Sequence, residues 1–193
     1  MTRINRSGIA PLALVGTLFA TLGDGLHVHT GTLAYTHPSW FGQAWWVPPN
    51  FFLTFLVMIL AYAFFVGRLP RAMRAVNSMR SGEAGAFVEA LMAFFLIYAL
   101  TGFANAQPVL LSVILYGSFA PRWLFSYERG WLALLALAMA LGGMIAEGML
   151  GASGVVAYRH QDIYHVPWWL GGLYMHGAFT LREGLRFFVY RED

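Results

Sequence analysis

The sequence has no cysteine and no lysine, and only 11% of its 193 residues are charged. Without cysteine there are no disulfides, no Cys-based zinc or iron–sulfur sites and no thiol nucleophile. An average soluble domain carries about 25% charged residues. A globule this small has too much surface to cover with so few, which excludes a soluble monomer. Disorder is excluded as well, because 17% aromatic content is the opposite of its signature. What is abundant is apolar: hydrophobic types make up 59% of the chain. The solvent implied is a lipid bilayer, where about 20 apolar residues make one spanning helix.

The apolar runs are separable and predict an all-α, polytopic membrane protein with six transmembrane helices. The spans are 9–26, 46–66, 84–103, 108–125, 131–150 and 166–188, forming a single domain over 1–193. Barrel strands would need short alternating segments instead. The first run is long for a signal peptide and lacks a small-x-small cleavage site, so it reads as a retained helix. The arginines then sort by side. Arg3, Arg6, Arg68, Arg71, Arg74, Arg80, Arg122, Arg129, Arg182, Arg186 and Arg191 fall on one side, and Arg159 alone on the other. By the positive-inside rule both termini face the cytoplasm. The net charge of +3 is therefore topology and not a nucleic-acid signal; Arg68 to Arg80 can also meet anionic headgroups.

A shift of 123 residues aligns two stretches without gaps, Asp24–Pro49 on Glu147–Gly172, with seven identities in 26 positions. Gly25, Gly31, Ala34, Tyr35, His37, Trp45 and Trp46 fall on Gly148, Gly154, Ala157, Tyr158, His160, Trp168 and Trp169. The offset spans an even number of helices, so spans one–two and five–six share one orientation, as in a parallel repeat. Both copies lie on the non-cytoplasmic side. The paired tryptophans suit a membrane interface. Pro48, Pro49 and Pro167 suit a first helical turn, where the missing N–H is not needed.

Asp24, His27, His29, His37, Glu147, His160, Asp162 and His165 gather near that outer face. Such residues can ligate zinc or iron or do acid–base work. However, no His-x-x-x-His or His-Glu-x-x-His spacing is present, and interfacial histidines in polar loops are the plainer reading. His176 reads as hydrogen-bonded to a neighbouring helix. Glu89, Asn105 and Gln107 are polar groups at or near membrane depth, where each must glue helices or face a cavity; Asn105 and Gln107 also read as a short solvated turn.

These residues together resemble the Insig (insulin-induced gene) family. The resemblance runs from the first span to the last. It rests on Gln43-Ala44-Trp45-Trp46-Val47-Pro48-Pro49 opening the second span, and on the polar break with Asn105 and Gln107. It rests also on the aromatic-basic end of span four and on Asp162-Ile163-Tyr164-His165-Val166-Pro167-Trp168-Trp169-Leu170. The compact loops and arginine-only usage resemble a bacterial, actinobacterial or mycobacterial, member. Animal Insig proteins are non-enzymatic sterol sensors that retain a partner protein in the ER. Bacterial relatives have a central lipid cavity with diacylglycerol as candidate ligand. The family's cavity Gln and Trp fall nearest Gln107 and Trp123, three residues further apart here. The animal Asp-Arg-Ser-Arg-Ser-Gly motif is absent; Ser126–Gly130 occupies its place, which leaves the protein partner unknown.

The expectation is a non-enzymatic protein of a bacterial plasma membrane. It would bind a neutral lipid, diacylglycerol-like or sterol-like, in an intramembrane cavity, as a sensor or regulator, with no cofactor, metal or nucleic acid and with homo-oligomers open. Gln107 and Asn105 are the expected headgroup contacts, and Trp46, Phe51, Phe103 and Trp123 the walls. The alternatives are a lipid- or isoprenoid-modifying enzyme using the outer His/Asp/Glu set, and a small transporter.

Overall fold

The structure is a computed structural model that describes residues 2–70, 73 and 75–192. Arg71 and Arg74, two of the arginines counted above, lie outside the described residues. Six long helices dominate: α1 (Ile9–His29), α2 (Val47–Val66), α3 (Ala84–Phe103), α4 (Pro108–Leu124), α5 (Arg129–Ala152) and α6 (Trp169–Phe188). Four of them, α1 with its preceding turn, α2, α3 and α5, are long and apolar enough to cross a membrane, and α4 is a shorter apolar helix. Prolines open α2 and α4 within their first turns, where no backbone donor is lost.

The sixth helix differs in kind. It packs on α5, α3 and α4 and touches α1, and it buries residues on all sides, including His176, Arg182 and Glu183. A helix whose neighbours are protein does not need a lipid-compatible surface all round. That explains why α6 is less apolar than the rest.

Around this hub the core has two halves. One gathers Leu12, Ile59, Tyr62, Phe87, Trp131, Leu132 and Leu185. The other gathers Leu33, Leu111, Leu115, Val166, Trp169 and Leu170. Outward, α1 exposes Leu14, Leu18 and Leu22, α3 exposes Val88, Met92 and Leu96, and α5 exposes Leu134, Leu137, Leu141 and Ile145. A continuous apolar girdle of this kind exceeds what a soluble monomer exposes, and the chain is an integral membrane protein.

Four short strands were not anticipated from the helical hydropathy. β1 (Thr2–Ile4) pairs antiparallel with β4 (Tyr190–Glu192), tying the two ends of the chain together at one end of the bundle. At the other end β2 (Leu33–Tyr35) pairs antiparallel with β3 (Val156–Tyr158), in the register Leu33↔Tyr158, Ala34↔Ala157, Tyr35↔Val156. Every partner in β3 is the 123-residue equivalent of a β2 residue read in reverse, so the two repeats meet about a pseudo-two-fold axis through Ala34 and Ala157.

The flanking backbone follows the same symmetry. Thr36 N donates to Val155 O at 3.2 Å, and Arg159 N to Thr32 O at 2.9 Å. Left-handed φ recurs at equivalent positions: Gly31 at 66° and Gly154 at 76°, Phe41 at 53° and Tyr164 at 44°, Gly42 at 80° and His165 at 64°. Isolated bridges close both following loops, Trp40↔Gln43 and Ile163↔Val166. The duplication expected from seven identities is thus realised as a duplicated local fold.

Candidate functional site

The two-fold places one carboxylate in each copy near the β2–β3 end of the bundle, Asp24 buried and Glu147 half-buried. Asp24 sits in the last turns of α1 and is 4% exposed. Its Oδ1 accepts from Tyr35 Oη at 2.9 Å and its Oδ2 from Gln43 Nε2 at 2.7 Å. Gln43 in turn donates to Thr21 O at 2.9 Å, which fixes its amide. Glu147, the equivalent residue on α5, accepts from Tyr174 Oη at 3.0 Å, and the hydroxyl of Tyr158, the equivalent of Tyr35, lies beside it. The carboxylates are within Coulomb range of each other, and Tyr98 of α3 lies within range of both. Burial, reinforced by the neighbouring carboxylate, raises the Tyr35 and Tyr158 hydroxyls well above the ordinary tyrosine value.

Small residues make room for these rings. A Cβ on Gly23 would come within 2.6 Å of the Tyr98 ring, and one on Gly143 within 2.5 Å of the Tyr174 ring. Each repeat also turns one tryptophan of its pair inward. Trp46 meets Tyr35 edge-on at 5.7 Å, and Trp169 meets Tyr158 at 6.4 Å, whereas Trp45 and Trp168 face outward. His27 completes the wall, its ring 4.7 Å from Tyr98 and 5.7 Å from Trp169. His27 Nε2 lies 2.8 Å from Thr101 Oγ1, whose own hydrogen goes to Tyr98 O at 2.6 Å. His27 therefore carries its proton on Nε2, and Nδ1 is an acceptor. That Nδ1 and the Trp169 Nε1 donor are buried without partners.

Tyr98, Glu147 and Tyr174 stand within electrostatic reach of one another, and each is half-buried. Chemically the site is rich in acceptors, its donors are uncharged, and no arginine pairs with either carboxylate: among the described residues the ion pairs are Arg182–Glu183 and Arg186–Glu183. Such a lining suits an uncharged ligand that donates hydrogen bonds through hydroxyls.

The residues expected from sequence fall in several places. Trp46 belongs to the chamber wall. Asn105 is buried at the α3–α4 turn, where its amide donates to Gly102 O and its Oδ1 accepts from Arg159 Nη1 at 3.3 Å. Gln107 precedes α4, is exposed, and borders a shallow hollow of about 500 Å³ with Pro108, Val109, Leu110 and Val113. Phe103 is 70% exposed beside it. Phe51 lies half-buried in the first turns of α2. Trp123 is at the opposite end of the bundle, donating to Arg129 O at 2.9 Å. The six are therefore not brought together.

A second hollow, about 490 Å³, opens beside β2 and β3 and is lined by Leu33, Tyr35, Pro38, Gly42 and Tyr158 among others. Neither hollow lies at mid-depth of the bundle. Of the outer histidines and acids, only Asp24, His27 and Glu147 reach the chamber. His29, His37, Asp162 and His165 are exposed, and among the described residues no group of three His, Asp or Glu side chains is placed to hold a metal ion. His176 is satisfied between helices, taking a hydrogen bond from Arg122 Nη1 at 2.8 Å and facing Leu115 O at 3.0 Å. Tyr98 and Tyr174 were missed because they lie outside the direct alignment of the tyrosines. Tyr35 and Tyr158 could have been found, since each follows its carboxylate by 11 residues in both copies.

No sequence-family model and no curated protein sequence matches the chain. Solved structures do. The crystal structure of MvINS, a mycobacterial Insig homologue from Mycobacterium vanbaalenii, superposes with a TM-score of 0.77 at 22% identity, covering 96% of this chain and 95% of that one. A cross-linked trimer of MvINS carrying an arginine-to-cysteine substitution gives 0.76 at 23% identity, covering 95% and 96%. The resemblance read from the Trp-Trp-Val-Pro-Pro string and its companions holds at the level of architecture, and the chain has the fold of a bacterial Insig homologue.

Proposed function

We propose that this protein binds a neutral lipid, diacylglycerol-like or sterol-like, inside the membrane and acts as a non-enzymatic lipid sensor or regulator. The observation that carries the reading is the chamber around Asp24 and Glu147: one buried and one half-buried carboxylate faced only by uncharged donors, with orphaned polar atoms on His27 and Trp169 among the described residues, set within an apolar bundle. A lipid with a free hydroxyl meets both requirements, since its chains fill apolar space and its hydroxyl donates to a carboxylate or to His27 Nδ1. Trp46 is the wall residue of this chamber. Asn105 and Gln107 stay as headgroup contacts nearer the surface, with Phe51, Phe103 and Trp123 along apolar helix faces.

The same reading takes the chain as one six-span domain in a bacterial plasma membrane with both termini cytoplasmic. The β1–β4 tie supports it by holding both ends on one side, and the arginine-rich ends supply the direction. The cross-linked trimer of MvINS supports testing homo-oligomers here. The experiment is a thermal-unfolding series in mild detergent. Diacylglycerol raises Tm, and an analogue with its free hydroxyl methylated raises it much less. Equal shifts from the two would refute a hydroxyl-reading site.

A further inference from the structure

At the end of the bundle away from the chamber, α4, α6 and the loop before α5 build an alternating stack of arginines and aromatics. The Arg122 guanidinium lies 4.3 Å from the centre of the Phe179 ring, and Arg182 lies 5.9 Å from the same ring. Arg182 is also 4.0 Å from the Tyr127 ring, and Arg186 is 5.4 Å from it. The rings hold three flexible cations in fixed places before anything binds.

The charges in the stack do not balance. Among the described residues Glu183 is the one carboxylate paired with it, at 3.0 Å from Arg182 Nε and 2.6 Å from Arg186 Nη1, and it also accepts from Tyr127 Oη at 2.7 Å. Glu128, nearby, is spent on a turn, accepting from Asn77 N at 2.6 Å, Ser78 N at 2.9 Å and Ser78 Oγ. Among the described residues the Arg122 guanidinium has one hydrogen bond, to His176 Nδ1 at 2.8 Å; Glu89 on α3 is within Coulomb range but forms no ion pair with it. Arg186 Nε is buried without a partner among the described residues. Three guanidiniums therefore share one paired carboxylate at the rim of an apolar girdle, where uncompensated charge is costly.

We infer that this stack is a binding site for the phosphate of an anionic membrane phospholipid. The stack lies at the last turn of α4, beside the exposed Leu124 and Phe125, at the end of the helix, where a lipid lying along it would place its headgroup. Arg122 is half-buried and still reachable, and its unused N–H groups match phosphate oxygens. Arg182 is 4% exposed and steadies the rings from inside. The inference is independent of the neutral-lipid chamber, which lies at the opposite end.

The test uses the full chain in nanodiscs or in zwitterionic detergent, with phosphatidylglycerol, phosphatidylcholine and inorganic phosphate as probes and native mass spectrometry as readout. Phosphatidylglycerol binds in preference to phosphatidylcholine, free phosphate binds far more weakly, and Arg122→Gln lowers the phosphatidylglycerol affinity about tenfold, the scale of one charge-assisted contact. Arg159→Gln, exposed at the opposite end of the bundle, leaves it within about twofold by the same scale. In the unmodified chain the preference shrinks at high salt, a measurement that does not depend on any variant folding. Equal binding of the two lipids, equal binding of free phosphate, a preference untouched by Arg122→Gln or by salt, or an equal loss from Arg159→Gln would each overturn the assignment.

Discussion

Ala34 lies directly opposite Ala157 across the β2–β3 pair, and the two are equivalent residues of the 123-residue repeat. Two copies of one hairpin therefore meet at their own matching positions, as subunits do in an isologous dimer. This relationship brings Asp24 and Glu147 to a common site with Tyr35 and Tyr158 beside them. One substitution in each copy should thus have a related effect. Tyr35→Phe removes a donor from buried Asp24, and Tyr158→Phe removes one from beside Glu147. Each is expected to destabilise the fold by about 1–3 kcal/mol, read as a lowered Tm in mild detergent. A neutral result at both positions would deny the carboxylates their structural partners.

Glycine substitutions should divide sharply by position. A Cβ on Gly8 would stand 1.8 Å from Phe188 O and one on Gly148 2.5 Å from Tyr164 O, both rigid backbone atoms, whereas Gly142 has nothing within 4 Å. Gly8→Ala and Gly148→Ala are expected to lower stability by about 1–3 kcal/mol or more. Gly142→Ala, mid-helix and open, is expected to be neutral or stabilising by up to about 1 kcal/mol. Thermal unfolding of the three purified variants checks the order.

The absence of cysteine makes topology directly measurable, because any introduced thiol is the only one. Ser81 and Gln161 are both exposed, at opposite ends of the bundle. In intact cells a membrane-impermeant maleimide should label Gln161→Cys and spare Ser81→Cys until the membrane is opened. The reverse pattern would invert the orientation proposed from the arginines.

Alkaline pH should unfold the protein before it ionises the chamber's tyrosines. Burial and Asp24 raise Tyr35, and burial and Glu147 raise Tyr158. Their folded pKa lies above the unfolded value of about 10. The stability they contribute is complete below that value and falls as pH rises through it, since the unfolded state releases protons the folded state keeps. Tyrosinate absorbance for these two residues should appear only with unfolding, a coincidence testable by comparing each Tyr→Phe variant with the parent chain.

Much of this architecture was legible in the sequence. The third helix runs over Ala84–Phe103 as hydropathy alone requires, and the other ends differ by up to three residues. α1 runs three residues further than expected because His27 and His29 look like loop residues, yet His27 is buried with its ring nitrogen on Thr101. The repeat was readable from identities, and so was its shared direction. What it could not show is which residues from outside the repeat join it. Tyr98 arrives from α3 because Gly23 leaves space, and nothing local in either segment announces that meeting. Asn105 drew attention as a polar group beside an apolar helix, but a turn at a helix end needs its carbonyls capped, and Asn105 spends its amide there. The arginine–aromatic stack escaped for the same reason: Arg122, Tyr127 and Phe179 are neighbours only after α4 docks on α6.

The central claim is that the Asp24–Glu147 chamber holds the hydroxyl of a neutral lipid. The most direct measurement is native mass spectrometry of the protein released from mild detergent, paired with lipid extraction, for the unmodified chain and for the double variant Asp24→Asn, Glu147→Gln. The account predicts a co-purified diacylglycerol- or sterol-sized lipid on the unmodified chain and its loss, at unchanged fold, from the double variant. An unmodified chain free of neutral lipid, or a double variant that retains it in full, would contradict the account.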